Sequence, residues 1–209
     1  MSLRFPLVFL DRLRRATDGT GVTALVGAYG CPLACRMCIN PKTWKAETPF
    51  AWVTPEELYD RVKQDSLYYL ATGGGVTFGG GEPLSHADFI VAFRAIVPQA
   101  WHLYAETSLY VPAEQVAVAA GCIDHFYVDI KDTNPDIYRA YTGHDNTLPM
   151  ENLTRLLALT GPDRVTVRVP RIPGFNTAED TDVSVRRLEK MGVGQIDRFV
   201  YRDPDRRKG

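Results

Sequence analysis

The 209-residue sequence predicts an α/β fold with a parallel six-stranded sheet. Short β-rich runs alternate with segments of helical pattern along the chain, which is typical of parallel strands joined by crossover helices. Polar and metal-binding residue types also collect directly after these runs. Six strands are too few for the closed eight-stranded barrel, so we expect a partial (β/α)6 TIM-like barrel or a doubly wound sheet. Either fold places the active site at the carboxyl ends of the strands.

Local sequence patterns predict the individual helices and strands. The clearest helix is predicted to begin at Thr54, because Thr54 and Glu57 form a capping box and Pro55 takes the first helical position. Its helical spacing continues to Leu70. The further predicted helices cover residues 86–97, 112–120, 150–159 and 178–191. The predicted strands cover residues 22–30, 75–79, 101–107, 125–131, 164–169 and 198–201.

Composition and charge exclude several classes of protein. The formal net charge is −1, which gives no electrostatic reason to expect binding to nucleic acid or to an anionic membrane. No apolar stretch is long enough to span a bilayer, and no signal peptide is recognisable. We therefore expect a cytoplasmic protein with one domain over residues 1–209, an N-terminal extension at 1–15 and a short C-terminal tail at 203–209.

Three of the four cysteines lie close together after the first predicted strand. Cys31, Cys35 and Cys38 have the spacing C-x3-C-x2-C, and clustered thiols in a reducing compartment indicate metal or redox chemistry. Three thiolates can hold three irons of a [4Fe–4S] cluster and leave the fourth iron open for a ligand. The alternative is a zinc site completed by a histidine, although no histidine has a zinc-finger spacing from these cysteines. Cys122 is expected to be a small buried side chain.

The cysteine spacing resembles the cluster loop of the radical S-adenosylmethionine (SAM) superfamily. The resemblance implies that SAM chelates the open iron and that its reductive cleavage yields a 5′-deoxyadenosyl radical. Met37 stands where the superfamily usually has an aromatic residue, and its polarisable thioether would cover the adenine of SAM. Simple loop packing is the alternative for Met37.

A glycine-rich turn follows the second predicted strand. Glycines allow close approach of the backbone to a ligand, but a lone turn of this kind would need no further explanation. Because this turn lies one strand after the cysteine motif, it resembles the superfamily motif that receives the amino group of SAM. The resemblance assigns this role to the backbone carbonyls of Gly80 and Gly81 and to the carboxylate of Glu82.

Alternation within the fourth predicted strand places charges on one face. Phe126 and Val128 share a face, whereas Asp129 and Lys131 share the opposite face, which a barrel turns inward. Charges on a buried face are costly unless each is paired or bound. A structural salt bridge is the alternative here. The resemblance implies that Lys131 meets the SAM carboxylate and Asp129 a cation or a polar part of the cofactor.

The third and fifth predicted strands supply further candidate site residues. Arg168 would bind SAM or orient a partner segment, with an inter-strand salt bridge as the alternative. By the resemblance, Glu106 and Thr107 match an Asp-Thr pair that helps to bind a monovalent cation, here near Glu106 and Asp129. Lys131 and Arg168 are the catalytic candidates.

Three later segments narrow the resemblance: YVDIK, YTGHDNTLPMENL and RVPRIPGFN. They are similar to consecutive motifs of the glycyl-radical-enzyme activating enzymes of the pyruvate formate-lyase activating type. This implies a partner glycyl radical enzyme, loss of a hydrogen atom from one of its glycines, and flavodoxin or ferredoxin as electron donor. Ile39 departs from the family histidine at its position. The alternatives are a radical SAM enzyme acting on a small molecule, nucleoside or peptide, and a non-enzymatic iron–sulfur or zinc module.

Overall fold

The computed structural model describes residues 3–15 and 17–201, so the expected tail at 203–209 lies outside the described residues. It contains an eight-stranded sheet with the strand order β3-β1-β2-β4-β5-β6-β7-β8. The strands are β1 (Phe5–Arg15), β2 (Val22–Ala28), β3 (Ala51–Val53), β4 (Gly75–Gly80), β5 (His102–Thr107), β6 (His125–Asp129), β7 (Val165–Arg171) and β8 (Gln195–Val200).

Six neighbouring strands, β2 and β4 to β8, are parallel, which confirms the predicted parallel sheet. The count of six is corrected to eight because β1 pairs antiparallel with both β2 and β3. The predicted N-terminal extension at 1–15 is therefore largely a sheet strand. Phe5 and Leu7 are buried, and their burial attaches this segment to the core. β3 has only three residues and too little periodicity for sequence patterns to detect.

Seven α-helices connect the strands among the described residues: α1 (Pro55–Val62), α2 (Ser66–Thr72), α3 (Ala87–Ile96), α4 (Ala113–Ala120), α5 (Pro135–Thr142), α6 (Thr147–Thr160) and α7 (Ala178–Lys190). None of them is long and apolar enough to cross a membrane. The capping box at Thr54 and Glu57 is present. The predicted single helix from Thr54 to Leu70 is interrupted by a 3-10 turn, in which Asp65 accepts a 2.6 Å hydrogen bond from Arg12. α5 was not predicted.

The apolar core lies between the sheet and its helices. Phe126, Val128 and Ile130 are fully buried, which confirms the predicted alternation along β6. Phe78 on β4 makes edge-to-face contacts with Phe5 on β1 and Phe93 on α3, and such pairs add to the energy of area burial alone. The polar side chains of β5, β6 and β7 are consequently left for the opposite surface of the sheet.

The sheet curls so that its two ends face each other. Phe9 from β1 and Phe199 from β8 line the same cavity, and Arg168 on β7 donates a hydrogen bond to the backbone oxygen of Thr17, just after β1. Within the described residues β3 and β8 are the two edges and do not pair. The architecture is therefore the open, partial barrel, and the sheet is not a flat doubly wound one.

Candidate active site

The three cysteines of the loop after β2 line one cavity of about 130 Å³. Backbone hydrogen bonds hold this loop in place. The N–H of Ala34 donates to Thr142 at 3.2 Å, and the N–H of Arg36 donates to Tyr141 at 3.1 Å, both at the end of α5. The segment between Cys31 and Cys38 therefore rests on α5 and presents its thiols to a common space.

Burial determines the protonation of these thiols. It raises the pKa of Cys31 to about 12, and the nearby Glu82 carboxylate raises it further. Burial also raises the pKa of Cys35, although the charge of Lys131 opposes the shift. Thiols with raised pKa values must lose their protons when they bind a metal, so metal binding at this loop releases protons.

The donor set fits an iron–sulfur cluster with three protein ligands. Three thiols open into one cavity, and thiolate is the usual ligand of such clusters. Among the described residues, no three His, Cys, Asp or Glu side chains form a group that could hold a single metal ion. Cys122 is buried beyond the end of α4, as expected, and does not line the cavity.

The glycine-rich turn packs directly against the start of the cysteine loop. Gly80 and Gly81 line the cavity. The N–H of Gly81 donates to Ala28 at 3.1 Å, and the N–H of Glu82 donates to Gly30 at 2.8 Å. A Cβ atom on Gly81 would lie 2.2 Å from the carbonyl oxygen of Gly30, so only glycine fits there.

The Glu82 carboxylate is held by neighbouring donors at the ends of β4 and β5, and its role toward the amino group of SAM stays a prediction. Its carboxylate accepts hydrogen bonds from the Thr107 hydroxyl at 2.7 Å, from Ser108 and from the Leu84 N–H, and it does not line the cavity. Burial raises the pKa of Glu82, and the bonds from Ser108 and Thr107 oppose that shift. The carboxylate is thus used to join the ends of β4 and β5. This leaves the two glycines as the part of the turn that meets the cavity.

Lys131 lies in the cavity beside two partners. Its Nζ is 3.3 Å from the Asp129 carboxylate and donates a 2.8 Å hydrogen bond to the hydroxyl of Tyr201. Burial alone would lower the pKa of Lys131, but Asp129 and Tyr201 outweigh it and raise the pKa well above its ordinary value. Lys131 is therefore a charged group inside the barrel. Tyr201 was not predicted; its only sequence signal is its period-two relation to Phe199.

Arg168 forms the inter-strand salt bridge that was the alternative to a role in SAM binding. It lies 2.6 Å from the Glu106 carboxylate, and its guanidinium group stacks 4.7 Å from the centre of the Tyr127 ring. Both charged side chains are mostly buried, and both line the cysteine cavity. This geometry favours a structural role for the ion pair. The guanidinium group of Arg168 nevertheless lines the cysteine cavity.

A larger cavity of about 570 Å³ adjoins the cysteine cavity. The two share six lining residues: Ile39, Asn40, Glu106, Asp129, Arg168 and Tyr201. Ile39 and Asn40 were not predicted as site residues. Met37 is half-buried and lines neither cavity, and both its contact with adenine and the alternative of loop packing stay predictions. The thiols therefore open toward an interior space that is considerably larger than their own cavity.

Asparagines in the later motifs have structural partners. Asn146 donates to the Thr133 carbonyl at 2.9 Å, and Asn152 donates to the Val111 carbonyl at 2.8 Å. Asn176 donates in the same way to a backbone carbonyl and to the buried Asp132 carboxylate. These side chains satisfy loop backbone groups that would otherwise be buried without partners.

Comparison with known proteins agrees with this geometry. The pattern of the radical SAM superfamily matches residues 25–184. The isethionate sulfite-lyase activating enzyme of Desulfovibrio desulfuricans is 28% identical over 246 residues, covering 88% of this chain and 78% of that protein. The pyruvate formate-lyase-activating enzyme of Staphylococcus aureus (strain USA300) is 30% identical over 170 residues, covering 78% of this chain and 67% of that protein.

Solved structures show the same fold at low identity. SuiB of Streptococcus suis bound to the precursor peptide SuiA has a TM-score of 0.64 at 11% identity, covering 85% of this chain but 38% of SuiB. QueE from Escherichia coli has a TM-score of 0.51 at 12% identity, covering 93% of each chain. The superfamily match spans most of the barrel, including the cysteine loop. The chain therefore belongs to the radical SAM superfamily and is an enzyme similar to the activating enzymes of that superfamily.

Proposed function

We propose that this enzyme activates a partner glycyl radical enzyme by removing a hydrogen atom from one of its glycines. The observation that carries the proposal is the set of three thiols that open into one cavity, beside a larger cavity inside the barrel. The identity to the activating enzymes supports the choice of partner.

Cys31, Cys35 and Cys38 would hold a [4Fe–4S] cluster and leave one iron open to SAM. When bound, the cluster and SAM supply a one-electron cleavage of a carbon–sulfur bond that releases methionine and a 5′-deoxyadenosyl radical. The backbone carbonyls of Gly80 and Gly81 would accept hydrogen bonds from the amino group of SAM. Flavodoxin or ferredoxin would supply the electron.

Lys131 is the group best placed to bind a carboxylate. Asp129 and Tyr201 hold it in position and keep it charged, so an entering carboxylate finds an ammonium group that is already oriented. Arg168, fixed by Glu106 and by the Thr17 carbonyl, would form the wall against which SAM or a partner segment lies.

A monovalent cation beside Glu106 and Asp129 belongs to the same proposal. Both carboxylates line the two cavities, and hard oxygen ligands suit such an ion. Thr107 lines the cysteine cavity, and its hydroxyl donates to Glu82 and accepts from the Leu109 N–H at 2.9 Å, so one lone pair of its oxygen is left for such an ion. The ion would share these carboxylates with Arg168 and Lys131.

The hydrogen transfer breaks a glycine Cα–H bond in the partner and forms a C–H bond in 5′-deoxyadenosine, leaving a glycyl radical. Such a transfer needs near-contact geometry between the two carbon atoms. The cavity of about 570 Å³ supports the proposal because it offers an extended segment of the partner space next to the thiols.

The test uses the whole chain, reconstituted with iron and sulfide without oxygen. Dithionite and SAM should release 5′-deoxyadenosine, and the Cys35→Ala variant should not. Mixing with a glycyl radical enzyme encoded near this gene should give a glycyl signal in electron paramagnetic resonance (EPR). Failure of the wild-type chain to release 5′-deoxyadenosine would refute the proposal. Transfer of deuterium from a small substrate into 5′-deoxyadenosine, with no transfer from a protein, would assign the enzyme to the small-molecule class.

A further inference from the structure

Tyr141 brings a hydroxyl group without a partner to the cysteine cavity. It lies at the end of α5, lines the cavity and is 1% exposed. Its hydroxyl makes no hydrogen bond with any described residue. A buried polar group without a partner is destabilising, so such a group in a native site calls for an acceptor that binds there.

Two aromatic neighbours fix the orientation of the Tyr141 ring. It makes an edge-to-face contact with Phe175 at 5.1 Å and stacks on Tyr201 at 6.3 Å. Its backbone carbonyl accepts a hydrogen bond from Arg36, within the cysteine loop. The last turn of α5 and the loop therefore form one fixed unit.

The surroundings indicate what the acceptor is. Tyr201, Lys131, Cys35 and Cys38 line the same cavity as Tyr141 and act electrostatically on its hydroxyl. The Tyr201 hydroxyl already accepts a hydrogen bond from Lys131. Lys131 is a donor that already has Asp129 and Tyr201 as partners. The thiols are sites where negatively charged sulfur would appear when a cluster is bound, and negatively charged sulfur accepts hydrogen bonds.

We propose that the Tyr141 hydroxyl donates a hydrogen bond to a sulfur of the iron–sulfur cluster and thereby raises the reduction potential of the cluster. This inference rests on the proposed function, because it requires that the three cysteines hold a cluster. Reduction adds negative charge to the cluster, so a donor stabilises the reduced state more than the oxidised state.

The experiment compares midpoint potentials of the reconstituted whole chain, measured by EPR-monitored redox titration without SAM. The Tyr141→Phe variant keeps the ring and loses the hydroxyl. Its equilibrium constant for one-electron reduction should fall by about tenfold, a shift of about 59 mV to lower potential. Tyr69→Phe is the matched control, because Tyr69 on α2 is also a fully buried tyrosine but does not line the cavity. Its potential should equal that of the wild type.

A second variant covers the case in which Tyr141→Phe does not fold. Tyr141→3-fluorotyrosine keeps the ring and the hydroxyl but is a stronger donor, so its potential should rise above the wild-type value. Equal potentials in wild type and variants, with iron content intact, overturn the inference. A loss of SAM affinity without a change in potential also overturns it and assigns the hydroxyl to the SAM carboxylate. A wild-type chain that binds no cluster refutes the proposed function instead.

Discussion

The carboxylate of Glu82 accepts two hydrogen bonds from Ser108, one from its N–H at 2.9 Å and one from its hydroxyl at 2.6 Å. Glu82 follows β4 and Ser108 follows β5, so this pair ties together two neighbouring strand ends at the active-site edge of the sheet. The acidic residue of the glycine-rich turn therefore stabilises the frame of the site, and the cavity itself receives the backbone of the preceding glycines.

Replacement of Glu82 by Gln should destabilise the fold. In either orientation the amide NH2 of Gln would face a backbone N–H, that of Ser108 or that of Leu84, and buried donors would be left without an acceptor. We expect the free energy of unfolding to fall by about 1–3 kcal/mol in urea titrations. The exposed Glu151→Gln change should have no measurable effect. A variant as stable as the wild type would show that the Glu82 hydrogen bonds contribute nothing.

Glu82 should also make stability depend on pH. Its folded pKa is raised above the ordinary value of 4.5, so the folded state binds a proton more tightly than the unfolded state does. The contribution of Glu82 to the unfolding free energy should therefore decrease as pH rises from about 4.5 through the folded pKa. The Glu82→Gln variant should lose this part of the pH dependence. Urea titrations of both proteins at several pH values would measure it, and parallel curves would contradict the assignment.

Lys131 should contribute to SAM binding without contributing to cluster assembly. A hydrogen bond to a charged group contributes about 1.5–3 kcal/mol, so Lys131→Met should weaken SAM binding about ten- to a hundredfold. Iron content should be unchanged. Tyr201→Phe removes only the 2.8 Å hydrogen bond and should cause a smaller loss. Calorimetric titration with SAM would measure both, and normal affinity in Lys131→Met would show that the carboxylate binds elsewhere.

Arg168 and Glu106 should be energetically coupled. Because both side chains are mostly buried, removing either one leaves the other charge without its partner. A double-mutant cycle with Arg168→Met and Glu106→Gln should give a coupling free energy of about 1–3 kcal/mol, within the range for residues in contact. The exposed pair of Arg198 and Asp182 is the control and should show weaker coupling. Additive effects at Arg168 and Glu106 would mean that the ion pair is not formed in solution.

Cluster retention should increase with pH. The raised pKa values of Cys31 and Cys35 mean that protons compete with iron below those values, and each unit of pH gives about tenfold more thiolate per cysteine. Iron retained against a chelator should therefore rise from pH 6 to pH 8. Iron retention that does not change between pH 6 and pH 8 would indicate that protons do not compete with iron at these thiols.

Local sequence patterns determined the framework of this protein. Period-two alternation placed Val128 in the core and Asp129 and Lys131 on the inner surface, because side chains of a strand point alternately to its two faces. The capping box fixed the start of α1. The spacing of the three cysteines predicted a common site, since residues of one short loop necessarily remain near one another.

Tertiary structure decided which partners these side chains take. The pairing of Arg168 with Glu106, the turning of Glu82 toward Ser108, and the arrival of Tyr141 at the cysteine cavity all join residues that are distant in the chain. Strand register and the curl of the sheet set those contacts, and neither is encoded in any single segment. For the same reason the sequence patterns did not predict β1 as a strand. Its place beside β2 depends on burial of Phe5 and Leu7 in a core that is built by the rest of the chain.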